Sequence, residues 1–170
     1  MSAPAPCPLL FLDVDGTLIP LGTPMAAQPG MPHGHTPAPA LPADAHPLLQ
    51  KIDPEHGRRL EALPCDLVWA TTWTSDTNDV LAPVLGLPTL TVVGWPDADE
   101  IGPLHWKTRG LVEWAQGRPF VWVDDEISHA DQQWVSTHHH GLALLHQVDP
   151  RRGLTEHDFT VIGSWLRRTR

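Results

Sequence analysis

Tyrosine is absent from this chain, although eight tryptophans are present. Lysine is nearly as scarce, with Lys51 and Lys107 against a basic complement that is otherwise arginine. The two cysteines, Cys7 and Cys65, are too few for a disulfide scaffold. No stretch reaches the roughly 18 consecutive apolar residues that a membrane span needs. Nothing basic precedes the first apolar run, which Asp13 and Asp15 interrupt, so no secretory leader is expected. The expectation is therefore a cytoplasmic protein that does not associate with membranes. Positive charge is also short: 11 Lys and Arg face 20 Asp and Glu, for a net charge of -9. That balance excludes bulk, sequence-independent nucleic-acid binding, which needs a broad basic face. The arginines at 167, 168 and 170 read as a solvated helix end. No internal repeat is visible.

What remains is a chain of 170 residues with 41% hydrophobic side chains, enough for one domain with a substantial core, spanning 1–170. Its organising stretch is Leu9-Leu10-Phe11-Leu12-Asp13-Val14-Asp15-Gly16-Thr17-Leu18. An apolar run long enough for one buried strand ends in two carboxylates, and a glycine then permits a sharp turn. Carboxylates at a buried strand tip are costly unless a metal, hydrogen bonds or a shifted pKa stabilises them.

Prolines punctuate residues 19–47 so densely that helix and central strand are both excluded, leaving a long loop, either a lid or a mobile surface segment. The pattern beyond it predicts a helix over 48–63 with a break near Pro54, and a strand over 66–71. A helix over 76–85 and a strand over 88–93 follow. Next come a helix over 106–115, a strand over 119–123 ending in Asp124-Asp125, a helix over 128–137 and a strand over 141–145. A last helix to about Arg168 opens at Thr155-x-x-Asp158. Short apolar strands alternating with helices predict an α/β fold: a three-layer α/β/α, Rossmann-like domain on a five-stranded parallel sheet. In such sheets ligands bind at the carboxyl ends of the strands, where the strand order reverses. Asp13, Asp15, Thr71, Asp124 and Asp125 all fall at such ends.

Asp13-Val14-Asp15-Gly16-Thr17-Leu18 resembles the first motif of the haloacid dehalogenase (HAD) superfamily of phosphatases and phosphotransferases. Thr71, or its neighbour Thr72, resembles the second motif, a strand-end hydroxyl. Lys107 resembles the third, and Asp124-Asp125 the acidic fourth. All stand in the family's order and frame residues 9 to about 146. The resemblance implies a phosphohydrolase in which Asp13 is the nucleophile, forming an aspartyl-phosphate, and Asp15 the general acid and then base. Thr71 would hydrogen-bond a phosphate oxygen, and Lys107 would place a compact positive charge beside it. Mg2+, which takes hard oxygen ligands, would be held by Asp13, the carbonyl of Asp15, and Asp124 or Asp125. Dehalogenases of the superfamily lack the second aspartate, so Asp15 favours phosphoryl transfer. The gaps between motifs leave room for no folded cap domain, which implies an open site. The pattern is also similar to the small HAD domains associated with RNA-repair proteins. A phosphorylated small molecule or nucleic-acid end is the substrate class implied.

Around the motifs, Thr72, Trp73, Asn78 and Trp106 are candidate substrate-binding residues, with Trp73 and Trp106 offering rings for stacking and Asn78 also suiting a helix start. Trp69 and Trp122 read as core. His33, His35 and the run His138-His139-His140 lack zinc-site spacing and read as solvated. Cys7 stands six residues before Asp13 and Cys65 six before Thr71, which predicts neighbouring reduced thiols if the two motif residues lie level on adjacent strands. Two alternatives belong to other classes: a non-catalytic or regulatory binding protein on the same fold, and a phospho-accepting receiver module. In receivers the accepting aspartate follows the third strand and the lysine comes last, an order this chain does not have.

Overall fold

The computed structural model describes residues 6–22, 47–95 and 102–169. Most of the expected proline-rich loop, 23–46, with His33 and His35, lies outside them. Five parallel strands form one sheet: β1 (Leu9–Leu12), β2 (Asp66–Trp69), β3 (Thr91–Val92), β4 (Phe120–Asp124) and β5 (Ala143–Gln147), in the order β3-β2-β1-β4-β5. The order reverses at β1, the strand that carries the Asp-x-Asp pair.

β1 is apolar throughout because both faces of the sheet are covered. Leu10 and Leu12 enter one core, which also takes Leu60 from α1 (Glu55–Glu61), Leu85 from α2 (Ala82–Leu85), and Ile162 and Leu166 from α5 (Glu156–Thr169). Leu9 and Phe11 enter the other, against Leu111 and Ala115 of α3 (Thr108–Ala115) and Val135 of α4 (His129–His138). The three-layer α/β/α expectation holds. Trp69 and Trp122 are fully buried in these cores, as their places in the strands require. Among the described residues no folded cap interrupts the sheet, and no helix is long and apolar enough to cross a membrane.

Several elements are shorter than their patterns suggest, each for a local reason. The helix expected over 48–63 splits into a 3-10 turn (Pro47–Lys51) and α1, with Pro54 at the N-cap of the latter. The helix expected over 76–85 begins as a π-helical turn (Thr77–Leu81), in which the Ala82 N–H reaches back to the Thr77 carbonyl. Pro83 has no N–H to give and would crowd the carbonyl four residues back in a regular helix, so the wider turn accommodates it. β3 is cut to two residues, and β5 shifts two residues later than expected. Thr155 donates its N–H and its hydroxyl to Asp158 Oδ2, both at 2.7 Å, at the entry to α5.

The expectation that the two cysteines lie level is corrected by the strand register. Leu9 pairs with Asp66, so Cys7 is level with Pro64 rather than Cys65. A one-residue offset in a pleated sheet turns side chains to opposite faces. The Cys7 thiol lies 3.7 Å from the Pro64 carbonyl, whereas Cys65 packs against the first core.

One buried acid ties the second helical layer to the sheet edge. Asp131, fully buried in α4, accepts from the Ser128 N–H (2.8 Å) and hydroxyl (2.6 Å) on Oδ2, closing a capping box. Its Oδ1 accepts from the His105 N–H (2.8 Å) and the Thr108 hydroxyl (2.6 Å). Burial alone would raise its pKa, but these bonds outweigh burial and hold the carboxyl below the usual range. Asp131→Ala strands those donors and is expected to cost about 3 kcal/mol. Urea unfolding checks this, and an unchanged midpoint would contradict the tie.

Candidate active site

The site is built at the carboxyl edge where β1 and β4 lie side by side. Leu12 pairs with Val123, and the Asp13 N–H donates to the Val123 carbonyl at 3.1 Å, so Asp13 and Asp124 leave adjacent strands together. On the other flank the Ala70 N–H donates to the Leu12 carbonyl, which sets Thr71 just beyond β2 at the same edge.

After Asp13 the chain turns tightly. The Val14 carbonyl accepts from the N–H groups of Thr17, Leu18 and Ile19, and the Gly16 N–H donates to the Ile19 carbonyl. Gly16 sits at φ +81°, and a Cβ there would come within 2.4 Å of the Asp125 carboxylate. Glycine is therefore required twice over, for its backbone conformation and for the space that Asp125 occupies. The turn is moored to the segment before α5 by the Leu154 N–H on the Thr17 carbonyl at 2.8 Å.

Lys107, one residue before α3, is 4% exposed. Its ammonium donates to Asp13 Oδ1 at 2.5 Å and to Asp124 Oδ2 at 2.7 Å. The bonds to Asp131 hold the His105 backbone and the Thr108 hydroxyl on either side of this lysine. Asp124 is further engaged by the Glu126 N–H on Oδ1 (3.1 Å) and the Trp122 indole N–H on Oδ2 (3.2 Å). Oxygens of Asp13, Asp124 and Asp125 all lie within 4.8 Å of one another. Carboxylates outnumber the cation seated among them. Burial pushes the Asp13 carboxyl up to about 7, with the Lys107 charge working against that and the Asp124 charge adding to it. Burial, then Asp124, raises Asp125 to about 6. Hard oxygen donors with surplus negative charge suit a divalent cation such as Mg2+, for which Asp13, Asp124 and Asp125 are the available carboxylates.

The remaining expected site residues divide. Thr71 is 1% exposed, and its hydroxyl accepts from the Trp73 N–H at 3.3 Å, whereas Thr72 is exposed. Asp15 is half-buried and outside the carboxylate cluster, and its Oδ2 accepts the Trp73 indole N–H at 2.9 Å. The Trp73 indole N–H is thus turned onto a motif residue. Trp106 is 38% exposed, packed edge-on against Trp95 at 4.8 Å with its ring 5.4 Å from the Lys107 ammonium. Asn78 is not brought to this edge. Its amide oxygen accepts from the Trp69 indole and the Leu90 N–H, and its NH2 donates to the Leu90 carbonyl. Leu90 precedes the pairing of Thr91 with Val68, toward the amino end of the sheet. Asn78 does lie in the first turn of the helix that begins at Thr77, but its side chain spans β2 and the approach to β3 instead of capping that helix. The positions that sequence reasoning missed are Asp131 and Trp95, whose indole donates to the Thr71 carbonyl at 3.1 Å. The Ser128-x-x-Asp131 spacing advertises a cap, and nothing in it advertises the bonds to 105 and 108. Of the histidine run, His138 bonds the Trp134 carbonyl and His139 the Arg118 carbonyl, both within 3.0 Å.

The charge balance yields two expectations for metal-free protein. Because Asp13 and Asp125 titrate higher folded than unfolded, the folded state holds protons that the unfolded chain has lost above about pH 4. Their contribution to stability is full at low pH and is lost as pH rises through about 6 to 7. Asp13→Asn should flatten that decline, and a slope identical to wild type in unfolding series from pH 5 to 8 would contradict it. Lys107→Met leaves two buried carboxylates facing each other and should cost about 3 kcal/mol at pH 8, with a smaller loss at pH 5. Equal losses at both pH values would contradict the ion-pair account.

Residues 9–159 match the family described as HAD domain in Swiss Army Knife RNA repair proteins. No curated protein and no solved structure gives a significant match. The matched stretch takes in all five strands of the sheet, and with them Asp13, Thr71, Lys107 and the Asp124-Asp125 pair. The chain belongs to this family of HAD domains.

Proposed function

We propose that this chain is a Mg2+-dependent phosphohydrolase that works through an aspartyl-phosphate and acts on a phosphorylated nucleic-acid end or a small phosphorylated molecule. The observation that supports it most is Lys107, buried and bonded to both Asp13 and Asp124, with Asp125 within reach of both carboxylates.

In this reading an oxygen of Asp13 attacks phosphorus, and the bond from phosphorus to the ester oxygen breaks. The electron pair stays on the leaving oxygen, which takes a proton from Asp15. Water then attacks the aspartyl-phosphate, returning a proton to Asp15 and releasing phosphate and the Asp13 carboxylate. Thr71 donates its hydroxyl to a phosphate oxygen. Thr72, more exposed, is the alternative donor. Lys107 balances charge on the phosphoryl oxygens and keeps Asp13 aimed. Mg2+, held by Asp13, Asp124 or Asp125 and the Asp15 carbonyl, supplies neutralisation of phosphate charge when bound.

Two features favour a nucleic-acid end over a long strand. The matched family is described by RNA repair, and a net charge of -9 disfavours tracking along a phosphate backbone. A substrate held by one phosphate and one base fits better, and the exposed face of Trp106 beside Lys107 offers a stacking surface for that base.

Hydrolysis of an aryl phosphate, and of oligonucleotides phosphorylated at the 3′ or 5′ end, should require added Mg2+. Asp13→Asn should lower turnover by roughly a thousand-fold or more while far-UV circular dichroism is unchanged. Absence of turnover on all of these substrates would favour the non-catalytic binding protein instead.

A further inference from the structure

The excess of tryptophan over tyrosine has a structural counterpart. Three indole N–H groups donate into the site: Trp73 to Asp15 Oδ2 at 2.9 Å, Trp95 to the Thr71 carbonyl at 3.1 Å, and Trp122 to Asp124 Oδ2 at 3.2 Å. An indole N–H is a donor only, carries no charge and does not titrate in the physiological range. It can order an acceptor without adding a cation that competes with a metal. A tyrosine hydroxyl would also accept, and a lysine would add charge.

The three contacts differ in what depends on them. Asp124 is also held by Lys107 and the Glu126 N–H, and the Thr71 carbonyl belongs to the main chain. Asp15 stands on the turn beyond β1, half-buried, next to Gly16 at φ +81°. Its carboxylate lies outside the cluster of Asp13, Asp124 and Asp125. Trp73 is itself anchored, because its backbone N–H donates to the Thr71 hydroxyl at 3.3 Å. The tip of β2 thereby reaches across to the turn that follows β1.

We infer that Trp73 is a positioning residue that holds Asp15 Oδ2 and leaves Oδ1 to exchange the proton with the leaving oxygen. The inference rests on the acid-base role proposed above for Asp15. Without the indole, the carboxylate is free to rotate among its side-chain rotamers, and the time it spends in reach of the leaving oxygen falls. Substrate binding through Lys107 and Thr71 does not depend on that contact, so the loss falls on kcat and not on KM.

The test is the dependence on leaving group. Trp73→Phe keeps an aromatic ring and removes the donor. On an alkyl phosphate, whose leaving oxygen needs the proton, the single-turnover rate of leaving-group release, which excludes the later water attack common to both esters, should fall about 10- to 100-fold. On an aryl phosphate with a weakly basic leaving oxygen the loss should be several-fold smaller, with KM within about twofold on both. A structural defect would lower both equally, and that result overturns the inference. Trp73→His, which retains a ring N–H, should recover part of the alkyl activity. A second readout needs no turnover: in the 15N-1H spectrum the assigned Trp73 indole signal should move upfield in Asp15→Ala. An unmoved signal also overturns the inference. If wild-type protein hydrolyses neither ester, the phosphohydrolase reading fails, and the indole signal still decides whether Trp73 holds Asp15.

Discussion

The ammonium of Lys107 between Asp13 and Asp124 is the interaction on which the rest of this structure depends. Two carboxylates brought together at a buried sheet edge repel each other and lose their hydration, and a cation at 2.5 and 2.7 Å answers both costs at once. The strand order makes the pairing of β1 with β4 unavoidable, and that pairing sets the acids side by side. The lysine must then arrive from a third direction. It does so just ahead of α3, on a segment clamped through His105 and Thr108 to the buried Asp131 of α4. A capping box and an ion triad are thus linked through one segment, and the orientation of α4 bears on the charge balance at Lys107, on the far side of α3 and β4 in the chain.

One lysine does not neutralise three clustered carboxylates. The structure leaves Asp13 titrating near neutrality and Asp125 not far below. Surplus negative charge of this kind suits a further positive charge among the three carboxylates. Stability is sacrificed for it, as is common where acids are concentrated for chemistry. Gly16 belongs to the same economy, because its missing side chain is the space in which the Asp125 carboxylate sits.

Membership of the HAD family in RNA repair proteins accords with this architecture, and HAD domains are generally phosphatases and other hydrolases. The donors at this edge are supplied in large part by tryptophan. Indole N–H groups brace three positions of the edge from three different segments, which gives the lopsided aromatic composition a physical use. The described residues surround the edge without a folded cap, so ordering of the site falls to these fixed donors and to the mooring of the Gly16 turn at Leu154.

Much of this was legible in the chain itself. An apolar run ending in Asp13-x-Asp15-Gly16, a second ending in Asp124-Asp125, and the order of the threonine and lysine between them determined the fold class and the edge where the acids gather. These signals are local: strand burial, turn chemistry and helix spacing are written by neighbours a few residues apart. Only the tertiary structure decided that Cys7 meets Pro64, that Asn78 spans β2 and the approach to β3, that Trp73 turns onto Asp15, and that Asp131 holds the segment bearing Lys107. Each of these depends on strand register or on side-chain direction after distant segments are aligned. A one-residue shift in register would exchange the faces on which side chains lie while leaving every local pattern unchanged.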